Sequence, residues 1–233
     1  FFFKQKTAYE ITYGDWSSDV CSSDLAIGYP NTTGVPAVGW RLADSITDPP
    51  GAERWCTERL LRLDPCFLCF SPPEEAPDAA MPAADSPITF GSFNNVTKIS
   101  NACIDLWADT LHAVPNSRLL LKFLGGGDPA ASAWIIERFV PRGIRRERVE
   151  VAPYTPDRRA HLAQYHRVHV ALDTSPYSGT TTTCEALWMG VPVVTLPGER
   201  HVSRVSASLL AAAGHHDCIA DSAASFTRVA AGS

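Results

Sequence analysis

The segment with the clearest chemical potential is ALDTSPYSGTTTTCEALWMG, where an apolar run leads into a row of hydroxyl side chains. Ser178 and Gly179 permit a tight turn, and the four threonines at 180–183 then open a predicted helix. The first turn of a helix carries unpaired N–H groups and a partial positive charge, so it can hold a phosphate. A plain N-cap with threonines that face solvent is the alternative, because threonine suits a helix start better than a helix interior.

Two further side chains stand where they could complete a nucleotide site. Glu185 lies one turn into the same helix, and its carboxylate could accept both hydroxyls of a ribose. A first-turn acid that only favours the helix dipole is the alternative. In FGSFNNVTKIS, residues Asn94, Asn95 and Lys98 follow a strand, and a lysine there could neutralise a departing diphosphate. A solvated lysine with no such role is the commoner case.

Other motifs give weaker indications. GGGDP at 125–129 lacks the endings of a phosphate loop and is predicted to be a turn. Cys66 and Cys69 form a lone CxxC, which is weak evidence for zinc without a second pair. The spacing of His161, His166 and His169 is also weak evidence for a metal. We therefore expect no metal and no cofactor.

The elements that must position these residues alternate regularly from Ile88 onward. Apolar runs predict strands at 88–93, 118–124, 148–151, 168–172 and 191–196, and helices are predicted at 100–113, after GGGDP, and at 157–165, 180–189 and 203–213. This alternation indicates a parallel sheet covered on both faces, a doubly wound α/β domain that spans about 88 to 230. Ligands of such sheets bind beyond the carboxyl ends of the strands, at helix N-termini.

The remainder of the chain divides into three parts. Residues 1–25 contain KQKTAYEI and DWSSDVCSSDL, which look like translated arms of a sequencing adapter. We therefore expect native sequence to begin near Ala26, inside a longer protein. Residues 26–70 form a first block, the Pro- and Ala-rich stretch 71–87 is predicted to be a linker, and the main domain occupies 88–233.

Composition narrows the class of protein. The net charge is −5 and no basic stripe is present, which argues against nucleic acid as a partner. No apolar run reaches the roughly 18 to 20 residues that a membrane span needs. The cysteines beyond the first 25 residues are scattered through apolar segments, as in proteins of the reducing cytosol. The expected location is therefore the cytoplasm.

Three stretches resemble, in the right order, the C-terminal catalytic region of the O-GlcNAc transferase family, and its bacterial members most of all. They are FGSFNNVTKIS, VPNSRLLLK and LDTSPYSGTTTTCEALWMGVPVVTLPGERHVSRVSASLL, and GYPNTTG at 28–34 is also similar to a family motif. The resemblance covers almost all of residues 26–230. It implies the C-terminal Rossmann-like lobe of a two-lobed GT-B glycosyltransferase, usually preceded by tetratricopeptide repeats. It also implies inverting, metal-independent transfer of N-acetylglucosamine from UDP-GlcNAc to Ser or Thr of proteins.

The resemblance assigns roles to individual residues. Lys98 should contact the donor diphosphate and stabilise the leaving group. Glu185, which replaces an Asp of animal members, should accept the ribose, and His161 should approach the uridine. The other residues expected to bind the donor are Asn95, Thr155, Arg158, Thr180, Thr181 and Thr182, with Ile27, Gly28 and Pro30 along the sugar pocket.

Three alternatives stay open at this stage. The chain could be a catalytically incomplete fragment that only binds UDP, because most of the N-terminal lobe and its active-site histidines would lie upstream. It could use another nucleotide sugar, since plant relatives of the family use fucose. It could be a UDP-sugar epimerase on the same architecture, although no acid and His are placed convincingly for proton abstraction.

Overall fold

A computed structural model of the chain describes residues 31–83 and 85–232. Its strands are β1 (Trp40–Ala43), β2 (Arg59–Arg62), β3 (Thr89–Ser92), β4 (Arg118–Lys122), β5 (Val149–Ala152), β6 (Val170–Leu172) and β7 (Val193–Val194). Its α-helices are α1 (Asn101–Ala113), α2 (Pro129–Glu137), α3 (Arg158–Ala163), α4 (Thr181–Trp188), α5 (Val205–Ala212) and α6 (Ala223–Gly232). The adapter-like segment and the expected sugar-pocket residues Ile27, Gly28 and Pro30 lie outside the described residues.

Strands β3 to β7 form one parallel sheet of five strands in the order β5-β4-β3-β6-β7. The direction of winding reverses between β3 and β6, since β4 lies on one side of β3 and β6 on the other. In open α/β sheets, such a reversal leaves a crevice at the carboxyl ends of the two central strands. The predicted doubly wound α/β domain is confirmed, and this crevice is the place for a ligand.

Both faces of the sheet are buried, which explains why its strands are almost continuously apolar. On β4, Leu119 and Leu121 face the core cluster that contains side chains of α1, α2 and α6. Leu120 faces the opposite cluster, which contains side chains of α3, α4 and α5. The alternation follows from the two-residue period of a strand.

Residues 40–62 contribute a separate pair of strands before the main domain. Strands β1 and β2 are parallel, with Trp40 opposite Arg59 and Ala43 opposite Arg62. Buried polar contacts join this block to the main domain. The Ser208 hydroxyl donates to Asp44 at 2.5 Å, and the Asp48 carboxylate lies 2.5 Å from Nδ1 of His201.

The described part of the Pro- and Ala-rich stretch runs along the α3 side of the main domain. Arg159 donates to the carbonyl oxygen of Glu75 at 3.4 Å, and Nε2 of His166 lies 2.9 Å from that of Asp78. Ala76 packs against the apolar cluster on this face of the sheet. These contacts hold the stretch against the main domain. No helix in the two described ranges is long and apolar enough to cross a membrane.

Candidate functional site

The turn between β6 and α4 is organised by Asp173, whose side chain is buried directly after β6. Its carboxylate accepts the N–H of Gly179 at 2.7 Å, the N–H of Thr174 at 2.8 Å and the hydroxyl of Thr195 at 2.6 Å. Burial raises the pKa of Asp173, although these three donors oppose the shift. These hydrogen bonds to Asp173 therefore hold residues 174–180, the hydroxyl turn, in position.

Gly179 lies at a position with no room for a side chain. A Cβ there would stand 2.5 Å from Oγ1 of Thr183 and 2.8 Å from Oγ1 of Thr182. Both hydroxyls are already engaged, Thr183 with Ser206 at 2.8 Å and Thr182 as a donor to Asn94 at 3.0 Å. The missing side chain thus lets the backbone pass close to the threonines at the start of α4.

The remaining threonines of the turn are half-buried at the start of α4. Thr180 precedes the helix and makes no side-chain hydrogen bond that caps it, and Thr181 is its first residue. The prediction that a helix starts at this turn is confirmed. The first-turn N–H groups of α4 and these hydroxyls lie together at the carboxyl edge of the sheet, as a phosphate site requires.

Lys98 lies beside this turn. Its ammonium donates to the carbonyl oxygen of Ser178 at 3.0 Å and stands 4.1 Å from the ring centroid of Tyr177. Burial lowers the pKa of Lys98 to about 8, although the charge of Asp173 opposes the shift. Asn95 is exposed nearby, and its side chain accepts the N–H of Thr97 at 3.0 Å to cap the 3-10 helix Val96–Lys98.

A second group of predicted residues forms a chain of polar contacts beside α4. Nε2 of His161 lies 3.1 Å from Oε2 of Glu185, and Nδ1 of the same ring lies 2.5 Å from Nζ of Lys122. Lys122 is 2% exposed. Burial lowers the pKa of Lys122, and the charge of Glu185 opposes the shift.

An open cleft lies along this second group. The predicted residues on its wall are Thr155, Arg158, His161 and Glu185, and the wall also includes Pro73, Tyr154, Pro156 and Leu162. Glu185 lies three residues after Thr182 on α4, so the two positions share one face of the helix. The structure thus brings the predicted residues into two adjacent groups joined by α4, the hydroxyl turn with Lys98 and the cleft.

Sequence reasoning missed two residues of this arrangement, Asp173 and Lys122. Each stands at the carboxyl end of a buried strand, where an ionisable side chain is unusual. That placement is the signal that could have found them. In the part of the chain that the structure describes, no cluster of three or more His, Cys, Asp or Glu could hold a metal, and the cysteines are free.

The doubly wound sheet brings these two groups together at its crevice, as in a Rossmann-like lobe. The chain belongs to glycosyl transferase family 41, whose profile matches residues 79–232.

Relatives with curated names and one solved structure support this family membership. The chain is 44% identical over 194 residues to "Probable UDP-N-acetylglucosamine--peptide N-acetylglucosaminyltransferase SPINDLY" of Arabidopsis thaliana, covering 81% of this chain and 21% of the relative. It is 41% identical over 196 residues to a protein of the same name from Petunia hybrida, covering 83% and 21%. A mutant of Thermobaculum terrenum O-GlcNAc transferase superposes with a TM-score of 0.84 at 40% identity, covering 89% of this chain and 39% of that structure.

These similarities confirm the expected fold class, a Rossmann-like lobe of a GT-B glycosyltransferase. They also confirm the resemblance to the O-GlcNAc transferase family that the motifs indicated. The chain spans about a fifth of the length of the curated relatives it matches. The activity of the whole protein is therefore a matter for proposal.

Proposed function

We propose that the protein to which this chain belongs transfers N-acetylglucosamine from UDP-GlcNAc to Ser or Thr hydroxyls of proteins. One observation carries the proposal. The start of α4 joins a hydroxyl-lined turn with an adjacent cation to a cleft with a carboxylate and an imidazole. The first group has the chemistry to bind a diphosphate, and the second has the chemistry to bind a ribose and a base. Family membership and the names of the relatives support the same donor.

In this proposal the diphosphate lies at the N-terminus of α4. The N–H groups of the first turn and the hydroxyls of Thr180 and Thr181 donate to its oxygens, and the Thr182 hydroxyl turns from Asn94 to donate there as well. Lys98 moves from the carbonyl oxygen of Ser178 to the bridging region of the diphosphate. Its charge stabilises the negative charge that develops on UDP as the sugar–phosphate bond breaks.

The nucleoside lies in the cleft beside α3. Glu185 accepts hydrogen bonds from the ribose hydroxyls, because an ionised carboxylate has only acceptors to offer. His161 contacts the uridine, and Thr155 and Arg158 flank it on the wall of the cleft. Asn95 lies near the diphosphate.

The transfer step inverts the anomeric carbon. The acceptor hydroxyl oxygen attacks that carbon on the face opposite to the diphosphate. A new carbon–oxygen bond forms as the sugar–phosphate bond breaks, the electron pair of the broken bond leaves with UDP, and the hydroxyl proton is released to solvent. Positive charge at Lys98 serves this step without a metal. The chain itself is expected to bind UDP without turnover, because it spans only about a fifth of its curated relatives. We place the protein in the cytoplasm, where its free thiols stay reduced.

Titration calorimetry with UDP tests the proposal on the chain itself. We expect Lys98→Ala and Glu185→Ala each to weaken UDP at least about tenfold, because each removes a charged hydrogen bond worth roughly 1.5 to 3 kcal/mol. Glu147→Ala is the matched control, since Glu147 is exposed and pairs with exposed Arg145. Unchanged UDP affinity in both site variants, with the fold intact, would contradict the assignment.

A further inference from the structure

A buried lysine stands behind the nucleoside cleft, at the last position of β4. The Lys122 side chain is 2% exposed, and lysine is almost never buried to this degree without a partner. Its ammonium lies 5.9 Å from the ring centroid of Phe93 and 5.7 Å from that of Tyr154. Its hydrogen-bonding partner is the ring nitrogen Nδ1 of His161 at 2.5 Å.

The partners at the two ends of the His161 ring require the same tautomer. An ammonium has three donors and no acceptor, so Nδ1 must be unprotonated to accept a hydrogen bond from Lys122. A carboxylate has only acceptors, so Nε2 must carry the proton to donate to Glu185, which is 3.1 Å away. A neutral imidazole protonated at Nε2 satisfies both ends. The ammonium of Lys122, the neutral ring of His161 and the carboxylate of Glu185 then form one continuous chain of hydrogen bonds.

We propose that Lys122 is a positioning residue for nucleotide binding. It fixes His161 in the Nε2–H tautomer, and the ring in turn holds Oε2 of Glu185. The hydrogen bond from the ring occupies Oε2, which leaves Oε1 to receive ribose hydroxyls. The ribose part of this inference rests on the proposed function, whereas the tautomer follows from the contacts of the protein alone.

A tautomer that is fixed in advance favours binding because the ligand need not order it. Without Lys122, the ring could place its proton on Nδ1 and turn Nε2 into an acceptor. Nε2 would then face the carboxylate lone pairs without a proton between them, and Glu185 would lose its support. The contribution of Lys122 is therefore passed to the ligand through His161 and Glu185.

Nitrogen-15 NMR of the histidine rings tests the tautomer directly, with the His161 signal assigned by its loss in His161→Gln. In the ligand-free chain we expect Nδ1 of His161 to be unprotonated and Nε2 to be protonated. Lys122→Met should give a mixture of tautomers, and Lys122→Arg, which keeps the donors, should retain the Nε2–H form. Arg118→Met is the matched control, because Arg118 is the exposed basic residue at the opposite end of the same strand.

Calorimetry with UDP supplies the second measurement. We expect Lys122→Met to weaken UDP about tenfold, Lys122→Arg to recover most of the loss, and Arg118→Met to bind like the native chain. A ring protonated at Nδ1 in the native chain, or a His161 signal that Lys122→Met leaves unchanged, would overturn the inference. If Lys122→Met does not fold, the native tautomer and the Lys122→Arg result still decide it.

The two measurements separate this inference from the proposed function. A tautomer that shifts in Lys122→Met while the native chain shows no affinity for UDP would reject the proposed function and keep the positioning role. UDP binding that depends on Glu185 but not on Lys122, with an unchanged tautomer, would reject the positioning role and keep the proposed function.

Discussion

At the scale of single residues, the missing side chain of Gly179 lets the backbone of the hydroxyl turn approach the hydroxyls of Thr182 and Thr183 closely. The added Cβ in Gly179→Ala would lie 2.5 Å from Oγ1 of Thr183, which is bonded to Ser206. The threonines can give way only by breaking such bonds, so the turn must shift. We expect UDP affinity to fall at least about tenfold while the fold is retained, as measured by calorimetry and circular dichroism.

Gly127→Ala is the control for this substitution. A Cβ at Gly127 would meet only Cβ of Pro153 at 3.6 Å, which is an ordinary contact. Its UDP affinity should match that of the native chain. If Gly179→Ala also bound UDP normally, the close approach at this turn would have no part in ligand binding.

The lowered pKa of Lys98 should make UDP binding depend on pH. Burial lowers its pKa to about 8 in the empty site, so part of the population is uncharged in mildly alkaline solution. A bound diphosphate favours the charged form and raises the pKa again. UDP binding at about pH 8.5 should therefore take up most of one proton, and affinity should decrease as the pH rises above about 8.

Calorimetry in buffers of different ionisation enthalpy measures that uptake. The phosphates of UDP are fully ionised at this pH, since the second pKa of a phosphate monoester is about 6, and so they take up no proton. Lys98→Met should abolish the proton uptake. Uptake that persists in this variant would assign the proton to another group.

At the scale of the elements, helix α1 depends on one arginine at its C-terminus. Arg148 donates to the carbonyl oxygens of Leu111 at 2.7 Å, Val114 at 3.2 Å and Ser117 at 2.8 Å. Helix ends leave carbonyl groups without intrahelical partners, and a basic side chain there satisfies them. Arg148→Met should lower the free energy of unfolding by about 2 to 3 kcal/mol, as measured by urea denaturation.

Arg146→Met is the control for this prediction. Arg146 lies in the same 3-10 helix, but its side chain is 62% exposed and pairs with exposed Glu137. Its removal should leave the urea midpoint unchanged, because exposed ion pairs contribute little. Equal effects of the two substitutions would show that the end of α1 does not depend on Arg148.

Local signals in the sequence identified most elements of the sheet domain correctly. Ser100 is the first residue of the helix predicted at 100–113, and its hydroxyl caps α1 by accepting the N–H of Cys103 at 3.1 Å. Gly190 follows the helix predicted at 180–189, and its φ of 76° lies in the left-handed region that favours glycine after a helix. Such signals are visible in sequence because the residues that interact are neighbours along the chain.

Elements and contacts that depend on distant partners were harder to predict. The expected strand at 191–196 is regular only at Val193–Val194, because Pro192 has no N–H and Thr195 already bridges to Ile219. The contact between Lys122 and His161 joins residues 39 positions apart. Residue types in the sequence thus indicated the expected chemistry of the site, whereas the residues that orient it became visible only in the fold.

At the scale of the whole molecule, buried charges join the block that contains β1 and β2 to the sheet domain. Arg41 donates to Asp48 at 2.9 Å, and the other carboxylate oxygen of Asp48 lies 2.5 Å from Nδ1 of His201. His201 lies in the 3-10 helix that precedes α5, and the next residue, Val202, accepts the N–H of Ser178 in the hydroxyl turn at 3.0 Å. The junction between the two blocks is therefore linked to the expected diphosphate site through the residue next to His201 and a single hydrogen bond.

Because of this charged junction, the fold should lose stability as the pH falls. Burial opposes ionisation of Asp48, but the hydrogen bonds and charges of His201 and Arg41 hold the pKa of its carboxyl below the usual value of 3.8. A carboxyl with a lowered pKa in the folded state contributes stability above its ordinary pKa and loses it as the pH falls through the lower value. Asp48→Asn should therefore lower the Tm by several degrees near neutral pH, and by less below about pH 3.

Thermal unfolding followed from about pH 7 to about pH 2 measures the difference between the native chain and Asp48→Asn. Asp105→Asn is the control, because the Asp105 side chain is 59% exposed where it pairs with Arg142, and the Tm of this variant should follow that of the native chain. A native-minus-variant difference that stays constant down to the lowest pH would mean that Asp48 contributes through shape and not through charge. In that case the two blocks would be joined by packing, and the charged junction beside the hydroxyl turn would have no energetic role.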